Sequence, residues 1–351
     1  MHFAQKLFNS ETSFTVMQIT GRYTRFQTAV LQSRNKGNNM NISSRLTLRL
    51  AAVTAVAALA LTGCTDASQQ PAPGSTASAG GAAAFDPTTA PKDEALIALL
   101  PAALKDKATL EIGSDTSYEP AEFLDKDGQT PVGYDIDMAK AIAATLGKKA
   151  VAHTADFPTI LPKLGTVYDL GMSSFTITQE RSKAVNFVSY FNAGTLWAVQ
   201  KGNPNKITMD DLCGKKVGVQ TGTVQEEPDV SDRSKACVAA GKPAIDIISL
   251  KNQTDITTRL VGGTIDAMAA DSPITRNALA NTGGKLEVLG DIYDSAEQGI
   301  AIAKNDLPLA EVIEKVMNKL ITDGTYMKIL EKWNNADGAI KTAVLNPAVS
   351  N

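Results

Sequence analysis

Hydrophobic and polar positions fall into two successive runs of alternating strand and helix patterns. In the first, TLEIGS (109–114) reads as a strand, DIDMAKAIAATLG places Ile136, Ala139, Ala143 and Leu146 at helical spacing, and KAVAH (149–153) reads as a strand. A short helix is predicted near 159–165, and DLGMSS (169–174) is again extended. The second run repeats the pattern: KKVGVQ (215–220), a polar helical stretch, AIDIISL (244–250), a helix over 253–262, IDAMAA (265–270) and KLEVLG (285–290). Such alternation predicts an α/β fold with mostly parallel strands, one sheet for each run. Between the runs lies GTLWAVQKGNP (194–204), and after the second comes EQGIAIAKND (297–306); both read as extended crossings. Two C-terminal helices, LAEVIEKVMNKLI and YMKILEKW, return the chain to the first lobe. The expected division is 108–193 plus 300–345 for lobe 1 and 194–299, with the hinge strands, for lobe 2. Two lobes joined by two strands enclose a cleft, and the carboxyl ends of the strands face it.

The N-terminal part has a different pattern. Residues 1–39 show no periodicity and read as an over-long gene start, with the true start at Met40. From there Arg45 and Arg49 precede the apolar run LAAVTAVAALAL (50–61), too short for a stable membrane span and suited to a signal peptide over 40–63. The run ends in LTGC (61–64), which resembles a bacterial lipobox. That likeness implies cleavage before Cys64 and a lipid on its sulfur. Residues 64–107, rich in Ser, Ala, Gly and Pro at their start, are expected to tether the lipid to the domain. The expected location is thus outside the cytoplasm, lipid-anchored to the outer face of the cell membrane.

Charge narrows the partners. The net charge is −3, but the first 64 residues hold seven Lys/Arg and one Asp/Glu, leaving 27 against 36 for the remainder. An acidic domain of this kind does not suit a nucleic-acid partner. In an exported chain Cys213 and Cys237 are expected to form a disulfide. A metal pair is the alternative, yet the two histidines, His2 and His153, are not spaced with them, and no metal site is expected.

One stretch at the cleft wall breaks a local rule. In SSFTITQER (173–181) Thr178 is a good N-cap, yet Arg181 adds positive charge to a helix start that already carries it. Glu180 offsets part of that cost. One reading of Arg181 is a solvated surface arginine; the other is that an anion sits there in the cleft.

Seven segments in order then carry a resemblance: LEIGSDTSYEPAEF, DGQTPVGYDIDMAKAIAATLG, DFPTILPKL, SSFTITQERSKAVNF, GKKVGVQTGTVQE, IDAMAADSP and DGTYMKILEKW. Over about 108–335 the chain resembles the polar-amino-acid-binding proteins of bacterial ABC importers, solute-binding family 3. The resemblance implies a two-lobed periplasmic-binding-protein fold, a monomer without cofactor that is not an enzyme, and a partner in the permease subunits of an ABC transporter. It implies that Arg181, with backbone donors at Thr176, Thr223 and Val224, holds the carboxylate of an amino acid. Asp271, with the turn that carries Ser173, Ser174 and Thr176, is implied to hold the ammonium. Asp271 precedes Ser-Pro, so a plain helix cap is the alternative reading. Where the family has threonine or serine this chain has Val224, which keeps the N–H and removes a hydroxyl.

Side-chain specificity rests on fewer residues. Tyr118 and Phe157 match positions that stack on the ligand, although each could instead be a core aromatic. The family's aromatic after Pro120 is Ala121 here. Asp115 matches a position that meets cationic or amide side chains, and Glu119 and Glu122 lie near it, favouring Arg, Lys, His or Gln. Gln220 could bond an amide, so glutamine is not separated from the cationic set. An enzyme on the same scaffold, of the cyclohexadienyl dehydratase type, is the competing class. It needs an acid or base near the reacting carbon; Asp115 or Glu122 could serve, but no histidine lies in the matching segments.

Overall fold

The structure is a computed structural model that describes residues 85–349. Residues 1–39, expected to be an over-long start, 40–63, expected to be a signal peptide, Cys64 and the first part of the expected tether lie outside the described residues.

The first strand, β1 (Thr109–Ser114), is followed by a small antiparallel sheet of β2 (Ser117–Tyr118), β3 (Glu122–Leu124) and β4 (Pro131–Val132). Helix α3 (Tyr134–Thr145) then leads to β5 (Lys149–Thr154), which pairs in parallel with β1, and β6 (Leu170–Gly171) pairs on the other side of β1. The short helix α4 (Gln179–Ala184) opens onto β7 (Val185–Gln200). Lobe 2 holds β8 (Lys216–Gln220), α5 (Ser231–Ala239), β9 (Asp246–Leu250), α6 (Gln253–Val261), β10 (Ala267–Asp271) and α7 (Ser272–Asn281). The chain returns along β11 (Leu286–Ala303) and closes with α8 (Leu307–Thr322) and α9 (Thr325–Lys332).

Three expectations need correction. The two predicted sheets are one eight-stranded sheet, in the order β5-β1-β6-β11-β7-β10-β8-β9. The reason is that β7 and β11, of 16 and 18 residues, run through both lobes as an antiparallel pair instead of merely linking them. Their pairing slips between Leu289 and Tyr293, again before Ala296, and between Gln298 and Gly299. These irregularities mark the hinge. The helix predicted near 159–165 is two 3-10 turns, Phe157–Thr159 and Leu161–Lys163. Pro162 lacks the N–H that a continuing α-helix would need to reach the carbonyl of Pro158. Finally, the tether assigned to 64–107 ends earlier than expected. Residues 85–107 include α1 (Glu94–Ala98) and α2 (Ala102–Lys105), and their Ala90, Leu100 and Leu104 are buried with the lobe 1 core.

That covering segment explains why α3 is buried nearly all round instead of on one stripe. It packs on the sheet and against the 85–90 turn, α8 and α9. The largest core cluster lies in lobe 1, around Leu110, Met138, Tyr190 and Ile313. Lobe 2 has two smaller clusters, around Trp197 and Val217 and around Ile256 and Met268. Cys213 and Cys237 form the expected disulfide there. Among the described residues no helix is long and apolar enough to cross a membrane, and no cluster of side chains could hold a metal ion.

Candidate functional site

On lobe 1 the chain leaves β6 and turns through Ser173–Ile177 into α4. Thr178 caps that helix: its hydroxyl oxygen accepts the N–H of Arg181 at 3.1 Å. The Arg181 side chain folds back into the cleft, where Nη1 donates to the carbonyl of Thr176 at 2.8 Å. Phe157 and Phe175 stack 4.8 Å apart, and the guanidinium lies 5.4 and 5.9 Å from their ring centres. Across the cleft Nη2 donates to the carbonyl of Gly222 at 3.0 Å. Two of five guanidinium N–H donors are thus spent on backbone carbonyls, with no carboxylate in salt-bridge range among the described residues. Burial lowers the Arg181 pKa to about 10, opposed by the charges of Asp271 and Glu180.

Lobe 2 supplies the facing wall. After β8 the chain turns at Gly222, whose φ of +82° suits glycine, and a Cβ there would come within 3.0 Å of Pro158 on lobe 1. The Thr223 hydroxyl donates to the Gln220 carbonyl at 2.8 Å, and Val224 and Gln225 follow. Asp271 is the last residue of β10 and immediately precedes α7, yet its side chain makes no capping bond to that helix. Instead its carboxylate accepts from Gln225 Nε2 at 2.9 Å and from Gln298 Nε2, on the hinge strand β11, at 2.8 Å. Its backbone N–H donates to the Tyr118 hydroxyl of lobe 1 at 3.2 Å. Burial raises the Asp271 pKa to about 6, against the hydrogen bonds of Gln225, Tyr118 and Gln298 and the field of Arg181.

Between these walls lies a narrow, nearly closed cavity of about 10 Å3. Of the eleven ligand-binding residues expected from the sequence, ten line it: Tyr118, Phe157, Ser173, Ser174, Thr176, Arg181, Gln220, Thr223, Val224 and Asp271. Asp115 stands behind the wall. Its carboxylate accepts from Ser117 Oγ at 2.6 Å, from the N–H of Phe157 at 2.9 Å and, across the cleft, from Gln220 Nε2 at 3.0 Å. It positions Phe157 and Gln220, and burial raises its pKa. 

Sequence reasoning missed Gln225, which lines the cavity, and Gln298, which fixes Asp271. The first directly follows Val224 in the GTVQE segment; the second lies in a hinge strand, where nothing local marks it. The setting of Glu122 and Asp135 was also hidden. Ser173 and Ser174 donate to the Glu122 carboxyl at 2.9 and 3.3 Å, while Asp135 accepts the N–H of Ser174 at 2.9 Å and the Tyr190 hydroxyl at 2.7 Å. This cradle holds Ser174 at a φ of +50°, an uncommon conformation for a residue with a side chain. Burial raises both acids, Asp135 to about 6 and Glu122 well above the usual range with the charge of Asp135 adding to the shift.

The profile of "Bacterial extracellular solute-binding proteins, family 3" matches residues 110–336. The arginine-binding protein ArgT of Corynebacterium glutamicum is 35% identical over 252 residues, which cover 71% of this chain and 82% of that protein. Among solved structures, an ancestral arginine-binding protein bound to arginine is 35% identical with a TM-score of 0.59, covering 65% of this chain and 98% of its own. An ancestral arginine-binding protein bound to glutamine is likewise 35% identical, with a TM-score of 0.58 over 65% of this chain and 99% of its own. These relatives are binding proteins rather than enzymes. With the two-lobed α/β architecture, the hinge pair and the cleft all in place, the chain belongs to the family 3 extracellular solute-binding proteins of bacteria.

Proposed function

We propose that this protein captures a cationic or amide L-amino acid, arginine first among them, between its lobes and delivers it to the permease subunits of an ABC importer. The observation that carries the reading is the pair of opposed walls. Arg181 on lobe 1 keeps unspent donors suited to a carboxylate, and Asp271 on lobe 2 keeps a buried carboxylate held only by neutral groups. The zwitterionic end of an amino acid complements both. Cation preference is supported by the surroundings: Asp115, Glu122, Asp135 and Asp271 are all buried, and none has a salt-bridge partner among the described residues. The names of the relatives point the same way. In this reading Tyr118 and Phe157 flank the ligand side chain, Ser173, Ser174, Thr176, Thr223 and Val224 line its charged end, and Cys64 carries a lipid that keeps the monomeric protein at the outer face of the membrane.

Thermal unfolding in the presence of each common amino acid tests the binding. A ligand at a hundred times its dissociation constant stabilises by about 2.7 kcal/mol, which the cognate amino acid should show and acidic amino acids should not. No stabilisation by any cationic or amide amino acid would sink the proposal. Labelling with radioactive palmitate, lost on Cys64→Ser, tests the anchor separately.

A further inference from the structure

A second cavity lies far from the cleft, where the described chain begins. Lys92, Lys140, Lys148 and Lys149 line a groove of about 470 Å3 whose floor includes Ala90 and Ala144. Two of these lysines are already engaged. Lys148 donates to the carbonyls of Leu104 and Lys107, and Lys140 lies 3.4 Å from Asp137, which also pairs with Lys332. Lys92 and Lys149 are exposed, and their ammonium groups have no hydrogen-bond or salt-bridge partner among the described residues. The carboxylate of Asp86, near Lys140, is turned to the N–H and hydroxyl of Thr88. Free ammonium groups over an apolar floor suit an anionic amphiphile: a phosphate can meet the lysines while the carbon skeleton behind it meets the alanines.

We propose that this groove is a docking surface for anionic phospholipid headgroups of the membrane to which the protein is tethered. The proposal rests on the anchored reading above. The groove is built partly from Ala90 and Lys92, a few residues after the first described residue, and the twenty residues from 65 to 84 can carry the domain no further than about 70 Å from a lipid on Cys64. From residue 65 onward the chain holds 27 Lys/Arg against 36 Asp/Glu, so an anionic surface repels most of the domain. The groove is a local exception, and docking there would orient the lobes relative to the membrane rather than leave them to rotate on the tether.

Sedimentation with vesicles tests this. The protein is the chain begun at residue 65, which keeps the hydrophobic cores of both lobes and carries no lipid however Cys64 is processed. A negative result therefore removes the groove and leaves the anchor standing. At low salt it should partition onto vesicles of one third phosphatidylglycerol in phosphatidylcholine at least about tenfold better than onto phosphatidylcholine alone, and high salt should remove the difference. Lys92→Gln with Lys149→Gln, at roughly fivefold per lysine, should abolish that preference for the anionic vesicles, with an unchanged response to arginine in thermal unfolding. Lys242→Gln with Lys285→Gln, on lobe 2, should leave it within about twofold. Equal partition onto both vesicles, or binding that survives the groove substitutions, overturns the proposal. So does release by inorganic phosphate beyond that caused by chloride at matched ionic strength, which marks a soluble-anion site.

Discussion

The two walls of the cleft each carry a charge, half-buried at Arg181 and buried at Asp271, but they are built differently. Arg181 is locked on lobe 1 by a capped turn and by the cluster around Phe157 and Phe175, and it also reaches the carbonyl of Gly222 on the other lobe. Asp271 is held by two side-chain amides, one of them on the hinge strand, within a lobe of smaller cores that a disulfide closes. Their titration differs as well. A guanidinium with a pKa of about 10 stays charged through the physiological range, whereas a carboxyl at about 6 does not. The comparison teaches that the cationic wall is the constant element and that the anionic wall is sensitive to pH and to the state of lobe 2.

The sharpest way to break this picture is to remove either wall. Arg181→Ala or Asp271→Ala should each leave one buried ligand charge unpaired, at on the order of 3–5 kcal/mol, or a hundred- to several-thousand-fold in affinity by calorimetry. Arg181→Lys should also lose much of the affinity because a point charge cannot reproduce the planar fork, while Lys183→Ala, nearby but exposed, should bind normally. Wild-type affinity in Arg181→Ala would return that residue to an ordinary surface arginine.

A disulfide test separates the supports of the two walls. The 24-residue separation of Cys213 and Cys237 gives about 3 kcal/mol in the chain-entropy account, so replacing both by serine should lower the unfolding free energy by about that much. Hydrogen exchange should rise in lobe 2 first. Faster exchange confined to lobe 1 would contradict the division of labour.

The pH response distinguishes the walls more gently. If ligand ammonium needs ionised Asp271, affinity should fall about tenfold for each pH unit below 6 while remaining nearly constant up to pH 8. Stability of the ligand-free protein should move the other way. Asp271 and Asp135, raised from 3.8 to about 6, bind more protons when folded than when unfolded, so acidification from about pH 7 towards 4 stabilises the fold through these groups. Thermal unfolding at pH 7.5 and 5 checks the sign, and Asp271→Asn should reduce the dependence.

The smallest expected effect concerns the tie between the walls. Gln220→Ala removes the amide that joins Asp115 of lobe 1 to lobe 2, and it should weaken binding about fivefold, near 1 kcal/mol, by loosening the closed state. An unchanged affinity would show that this contact is incidental to closure.

Much of this was legible in the sequence, for local reasons. Strands β1, β5, β8 and β10 and helices α3, α6 and α8 follow from hydrophobic spacing, because a face that must be buried repeats with the period of its element. The cap at Thr178 and the exceptional position of Arg181 are likewise written within one turn of chain. What tertiary structure alone decided involves partners distant in the chain. That β7 and β11 merge the lobes into one sheet depends on residues about a hundred positions apart pairing in register. That Asp115 serves as a brace, that Gln298 holds Asp271, and that Glu122 and Asp135 cradle the two serines depends on which side chains meet in the closed cleft. The fold of 85–107 was hidden for the same reason: its short apolar positions gain their stability from α3 and the lobe 1 core, contacts that no local pattern records.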